Sequence, residues 1–335
     1  MILFSEISKR LSCVLGTVLF CWGVSSPRAD RRVRLVPKYT PGTTLRYRID
    51  SRSTTSGKIT TPILNPEGAT GSTLNVHQQV RLDVLDSAGA NGKPATRLRA
   101  TYEKSSADSQ SDALDPAQIS PSAVYGRLEG RSVEFTLDPD GRIENPKGVE
   151  NVFPDRAAAQ SALSWFSEVS SSSAFPVTGI EVGQKWKSER PMEGTPLADL
   201  ISRAEYTYLR DEPCHEEMDA TSAPSQATSR QDTCAVILTR IVIFRRGAPH
   251  SEATPEDYLR NGLRVSGSWT GSGESLDSIS LSTGFLVRST ETSNEQMDYE
   301  ITSAATGSKI HNQIHVQAES EIGLISAVPV AAGHE

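Results

Sequence analysis

The sequence predicts a mostly β protein, built as a large curved antiparallel sheet, a half-barrel or open barrel, covered by one main α-helix and carrying long polar loops. Apolar and polar residues alternate with a period of two in segment after segment, the mark of strands with one face in water. A helical stripe stands out in one place. About nine or ten amphipathic strands then need a cover that one helix of about five turns cannot supply, so the sheet must curl on itself or split into two layers.

The chain of 335 residues opens on a leader-like stretch. Lys9 and Arg10 precede an apolar run from Leu11 to Val24 that is too short to span a bilayer comfortably. Residues 1–25 therefore read as a signal peptide cleaved after Ser25, with cleavage after Ala29 as an alternative. Cys21 follows Phe20, where lipidation needs a small residue, so lipid anchoring at Cys21 is not expected. The product is expected to be periplasmic or extracellular, with no transmembrane anchor in the mature chain.

Residues 26–44 form a basic segment, "RADRRVRLVPK" at its centre, that reads as a solvated tail. Residues 45–335 read as a single β-rich domain. A loose echo between 45–175 and 176–330 leaves a division into two similar halves open. The formal net charge of −7 gives no bulk attraction to nucleic acid or to anionic lipid surfaces.

The first strands are explicit. Leu45, Tyr47 and Ile49 alternate with Arg46, Arg48 and Asp50. Val80, Leu82 and Val84, and then Leu98, Ala100 and Tyr102, repeat the pattern. "DPDGR" (138–142) joins "VEFTL" to "RIEN" as a tight hairpin, its Gly supplying positive φ, and a turn explains Asp138 and Asp140 better than a calcium loop. Residues 52–73 and 104–122, rich in Ser, Thr, Gly and Pro, read as long excursions between strands.

"FPDRAAAQSALSWFSEVS" is the main helix. Ala159, Ala162, Leu163, Phe166 and Val169 fall on one stripe, and Asp155 suits its start. A second short helix is predicted at Thr254–Arg260. The later strands include Val265 and Trp269, then Ile279, then Met297, Tyr299 and Ile301, then Ile314 and Val316, with "STGF" (282–285) as a turn. "CAVILTRIVIFRR" (234–246) is apolar on both faces, which predicts a strand near the middle of the fold.

Beyond the leader only Cys214 and Cys234 remain. An even count in an oxidising compartment favours a disulfide, and the pair lacks the spacing of a zinc or redox site. Closing about twenty residues would stabilise the fold by about 3 kcal/mol.

Three stretches, "YTPGTTLRYRI", "FPVTGIEVGQKWKSERP" and "GSWTGSGESLDSISLSTGFLVRSTETSNEQMDYEI", resemble a family of uncharacterised secreted bacterial proteins. That family is similar in turn to periplasmic lipoprotein-carrier and lipid-carrier half-barrels, in which a curved antiparallel sheet wraps one or more helices around acyl chains. The resemblance implies a cavity and transfers no catalytic residue.

No catalytic motif appears. "GSWTG" (267–271) has tryptophan where a nucleophile elbow needs serine, and no phosphate loop or H-E-x-x-H is present. His311 and His315 would suit a metal only on a helix, and they lie in a strand-like run. His77 falls on a polar strand face, and Trp186 reads as a core plug rather than a sugar platform. No enzyme activity, metal or cofactor is expected. Two functions fit: binding of a lipid or other apolar small molecule in a cavity of the sheet, or a structural role in the cell envelope, with an envelope protein as partner, acting through the Ser/Thr-rich loops. The alternation is compatible with a hollow core, but it favours a filled one.

Overall fold

Alternating Leu, Val, Ile and Tyr against Arg, Asp, Ser and Thr gives a pleated ribbon one apolar face and one wet face. In the structure, a computed structural model, these ribbons pair into one eleven-stranded antiparallel sheet that does not close into a barrel. The residues described are 32–60, 70–87, 95–112, 121–138, 141–153, 156–170, 175–192, 195–214, 232–248 and 251–329. The leader with Cys21, the predicted turn residue Asp140, the predicted helix start Asp155, and residues 215–231 between the cysteines lie outside them.

In chain order the elements are β1 (Thr43–Thr60), β2 (Thr70–Asp86), β3 (Thr96–Ser111), α1 (Pro121–Gly126), β4 (Ser132–Leu137), β5 (Ile143–Lys147), α2 (Val149–Val152), α3 (Arg156–Ser170), β6 (Lys185–Pro191), β7 (Leu200–Pro213), β8 (Thr233–Arg245), α4 (Glu256–Arg260), β9 (Leu263–Ser280), β10 (Leu286–Ser303) and β11 (Lys309–Pro329). Across the sheet the order is β5-β4-β3-β2-β1-β11-β10-β9-β8-β7-β6. The chain starts in the middle, meanders to the β5 edge, crosses to the β6 edge through α2 and α3, and meanders back until β11 pairs with β1.

The inner face carries three apolar clusters. The largest gathers Leu45, Tyr47, Leu82, Leu98, Phe135 and Phe166. Phe166 of α3 stacks on Phe135 at 5.5 Å between ring centres and meets Tyr102 at 6.2 Å, which lays the helix onto the sheet. A second cluster joins Leu35, Ile180, Tyr208 and Ile237. A third joins Leu197, Leu200, Ala253 and Val265 at the opposite ends of β7 to β10, with Tyr258 of α4 packed on it. The outer face carries cross-strand ion pairs such as Arg99–Glu134 (2.7 Å) and Arg288–Glu321 (2.6 Å), and partly exposed pairs of this kind contribute little each.

Three expectations change. The strands reach far into the Ser/Thr-rich stretches: β1 continues to Thr60, β2 begins at Thr70 and β3 continues to Ser111. Ser and Thr form ladders readily, but in "SRSTTSGKIT" both faces are polar, so alternation is silent. The doubly apolar strand, β8, is third from the β6 edge rather than central. Its two faces are both covered only at Cys234–Ile237, whereas Val242 is 48% exposed. The basic segment, over its described part, is no solvated tail. Val33 and Ile180 exchange two backbone hydrogen bonds of 2.8 Å, the Lys38 amide donates to Thr283 O, and the Tyr39 hydroxyl donates to Ser170 O at 2.8 Å. Leu35 and Tyr39 sit between the charges, and burying each offsets the ordering of the strap by about 2 kcal/mol.

The strap crosses the β9–β10 turn at Gly284, whose φ is +74°. A Cβ there would collide with the Val36 carbonyl. Gly284→Ala should therefore destabilise the protein by about 2 kcal/mol or more, read as a lower urea midpoint. The Cys214–Cys234 disulfide, with Cα atoms 5.0 Å apart, ties the end of β7 to the start of β8, beside the Cys214 N–H to Asp232 O hydrogen bond of 2.9 Å. Replacing both cysteines by serine should cost about 3 kcal/mol of unfolding free energy, and reduction of the parent should reproduce that loss.

Candidate functional site

α3 is the wedge around which the site forms. Its stripe does what the spacing predicts: Phe166 and Val169 are buried, while Ala162 and Leu163 pack against the main cluster. The Ser167 hydroxyl donates to Gly141 O at 2.8 Å and Tyr39 holds the carbonyl of Ser170, so the helix is pinned to the β4–β5 turn and to the strap.

On either side of this wedge the inner face is hollow. One cavity, of about 580 Å³, lies toward β6–β10 and is lined by Leu163, Phe175, Tyr206, Ile241 and Leu286 together with hydroxyls and carboxyls. The other, of about 360 Å³, lies toward β1–β3 and is lined by Tyr102, Tyr125, Leu128, Phe153, Trp165 and Ile322. Both volumes fall in the range of small-molecule sites. Val169, Leu286 and Glu291 line both cavities.

Strand register explains the hollowness. One row across the inner face reads Ser51, Ser320, Glu291, Ser275, Thr239 and Tyr206, each the cross-strand partner of the next. The next row toward the third cluster reads Ser53, Ala318, Ser293, Gly273, Ile241 and Ala204. Short side chains facing a helix of limited length leave space that larger residues would fill.

The polar wall is unusual. Asp277 accepts hydrogen bonds from Ser289 Oγ (2.6 Å) and Ser275 Oγ (3.1 Å), with Thr239 Oγ1 more distant at 3.5 Å. Burial pushes its carboxyl above the usual range, and the hydroxyls oppose this only in part. Glu291 is also pushed up, first by burial and then by the charges of Asp277 and Glu295. Among the described residues no hydrogen bond or ion pair reaches Glu291. Glu295 accepts a hydrogen bond from Trp269 Nε1 at 3.0 Å.

These carboxyls lay outside the sequence-based candidates. Their signal was present: counting back by twos from Met297 gives Glu295, Ser293 and Glu291, and from Ile279 gives Asp277. The residues singled out from sequence lie elsewhere. Cys214 and Cys234 are bonded at the β7–β8 end. His311 pairs with Asp298 (2.7 Å) and His315 with Asn294 (3.1 Å), and His77 pairs with Asp50 (2.7 Å) at an exposed position. Trp186 stacks on Tyr206 at 5.2 Å, supporting the cavity wall from the sheet edge.

Because Asp277 binds its proton more tightly folded than unfolded, its stabilising contribution is present in acid and is lost as pH rises through the folded value. Asp277→Asn should therefore gain stability relative to the parent as pH climbs from about 4 to about 7, measured as the gap between the two melting temperatures.

No protein-family model matches the chain, and no curated protein matches it by sequence. Among solved structures it is similar to lipovitellin, studied for its lipid–protein interactions, at 12% identity and a TM-score of 0.45 over 89% of this chain and 26% of that one, so the chain spans about a quarter of lipovitellin. An exported protein with a YmcC-like fold from Bacteroides fragilis matches at 9% identity and a TM-score of 0.27, over 89% of this chain and 100% of that one. An outer membrane channel from Pseudomonas putida matches at 8% identity and a TM-score of 0.19, over 86% and 97%. At these scores none of the three carries an argument about function.

Proposed function

We propose that the chain is an exported, non-catalytic carrier that shelters a lipid or other apolar ligand between α3 and the inner face of the sheet. The observation that supports this most is the pair of cavities flanking α3, one of them walled largely by aromatic and aliphatic side chains. The disulfide fits an oxidising compartment outside the cytoplasm, as does the leader-like N-terminal sequence. The alternative of an envelope protein acting through Ser/Thr-rich loops loses part of its basis, because much of those stretches is strand.

The test is to export the chain into an oxidising compartment, purify it without detergent, and compare native with denaturing mass spectra. A lipid-sized adduct that disappears on denaturation is the expected result. Stripped protein should also take up a neutral fluorescent apolar probe such as N-phenylnaphthylamine. Ala162→Phe, which fills the cavity beside Trp165, should weaken that uptake at least tenfold while leaving the melting temperature within a few degrees. A bare mass together with no probe uptake by stripped protein would overturn the reading.

A further inference from the structure

The two cavities differ in chemistry, and the difference has a direction. The smaller is walled mainly by Tyr102, Tyr125, Phe153 and Trp165, with Ser51, Gln78, Ser289 and Ser320 on the sheet side, and its aromatic part suits hydrocarbon. The larger presents Ser188, Ser202, Thr239, Ser275 and the carboxyls of Asp277 and Glu291. Both cavities reach Val169, Leu286 and Glu291, which places Glu291 where the two adjoin.

The carboxyls at this junction are not equivalent. Asp277 is already supplied with hydroxyl donors, and Glu295 holds the Trp269 indole. Glu291 has acceptor capacity and no donor among the described residues, and it lines both cavities at a half-buried position. A partly buried carboxyl without a donor is costly, and a bound group that donates hydrogen bonds and carries positive charge removes that cost. The arginines on the same cavity, Arg142 and Arg190, stand at the β5 and β6 edges, and the charges that act on the Glu291 carboxyl are those of Asp277 and Glu295. The wall around Glu291 is therefore acidic and hydroxyl-rich, and it opposes a phosphate or carboxylate at that point.

We infer that the two cavities form one site for an amphiphile with an ammonium headgroup, its hydrocarbon tail against Tyr102 and Trp165 and its headgroup against Glu291. This rests on the carrier reading above. The lengthwise order follows from the linings: tail toward β1–β3, headgroup at the β9–β10 strands, with the hydroxyl row of Ser275 and Thr239 beside it.

The test uses stripped full-length protein carrying N-phenylnaphthylamine, and three ten-carbon competitors at one pH near 8: decylamine, decanol and decanoate. Decylamine should displace the probe at a concentration about tenfold to a hundredfold below decanol, with decanoate the weakest. In Glu291→Gln the advantage of the amine over the alcohol should vanish, the two competitors then displacing the probe at similar concentrations. The comparison in the parent protein stands without any variant, so a poorly folding variant does not shield the idea. Equal displacement by all three competitors overturns the headgroup assignment and leaves the carrier reading intact. Amine preference that survives in Glu291→Gln overturns the role of that residue. Failure of the probe and of every competitor to bind overturns the carrier reading itself.

Discussion

A fifteen-residue helix spans about 22 Å, and the eighteen-residue strands it lies against run to about 60 Å. Most of the structure follows from that mismatch. α3 covers one stretch of the inner face, the strap at Leu35 and Tyr39 covers a second, and α4 with its flanking loops covers a third at the far strand ends. Sheet curvature brings these covers together without filling the space between them. The uncovered rows are then the ones furnished with Ser, Ala and Gly rather than Leu and Phe, so the solution to covering the sheet is also the origin of the cavities.

Aromatic side chains hold this arrangement in place. Phe166 is clamped between Phe135 and Tyr102, and the Tyr39 hydroxyl takes the last described carbonyl of the helix. Tyr39 also packs on Phe285 at 5.4 Å, next to the glycine turn that admits the strap. Helix, strap and hairpin thus support one another through a few contacts. Between them lies a polar seam, Asp277 and Glu291, whose carboxyls are kept partly dry by the same packing.

Much of this was legible in the sequence because hydrophobic contrast marks it. Leu45, Tyr47 and Ile49 announce β1, the Ala162–Phe166–Val169 stripe announces α3, and two cysteines at the ends of a polar loop announce the staple. Contrast fails where both faces are polar, and there Ser53 and Thr55 looked like loop although they pair with Ala318 and Val316. It fails again for partners distant in sequence, since nothing in β1 or β11 alone says that they adjoin. The site was missed for a related reason. Asp277 and Glu291 occupy inward phases, but a polar residue in an inward phase reads as an irregularity in a strand until the opposite wall is known.

The pairing of β1 with β11, from Thr43 opposite Pro329 to Thr60 opposite His311, sets the order in which the fold can be made. Every other ladder joins strands that follow each other along the chain, so each meander can zip up from its own turns. The central ladder closes a loop of some 250 residues at its nearest ends, and contacts of such high order are slow to find. Until β11 emerges and finds its place, β1 presents an open edge nearly sixty ångströms long. A nascent chain of this design keeps that edge adhesive until β11 has been synthesised and has paired with β1.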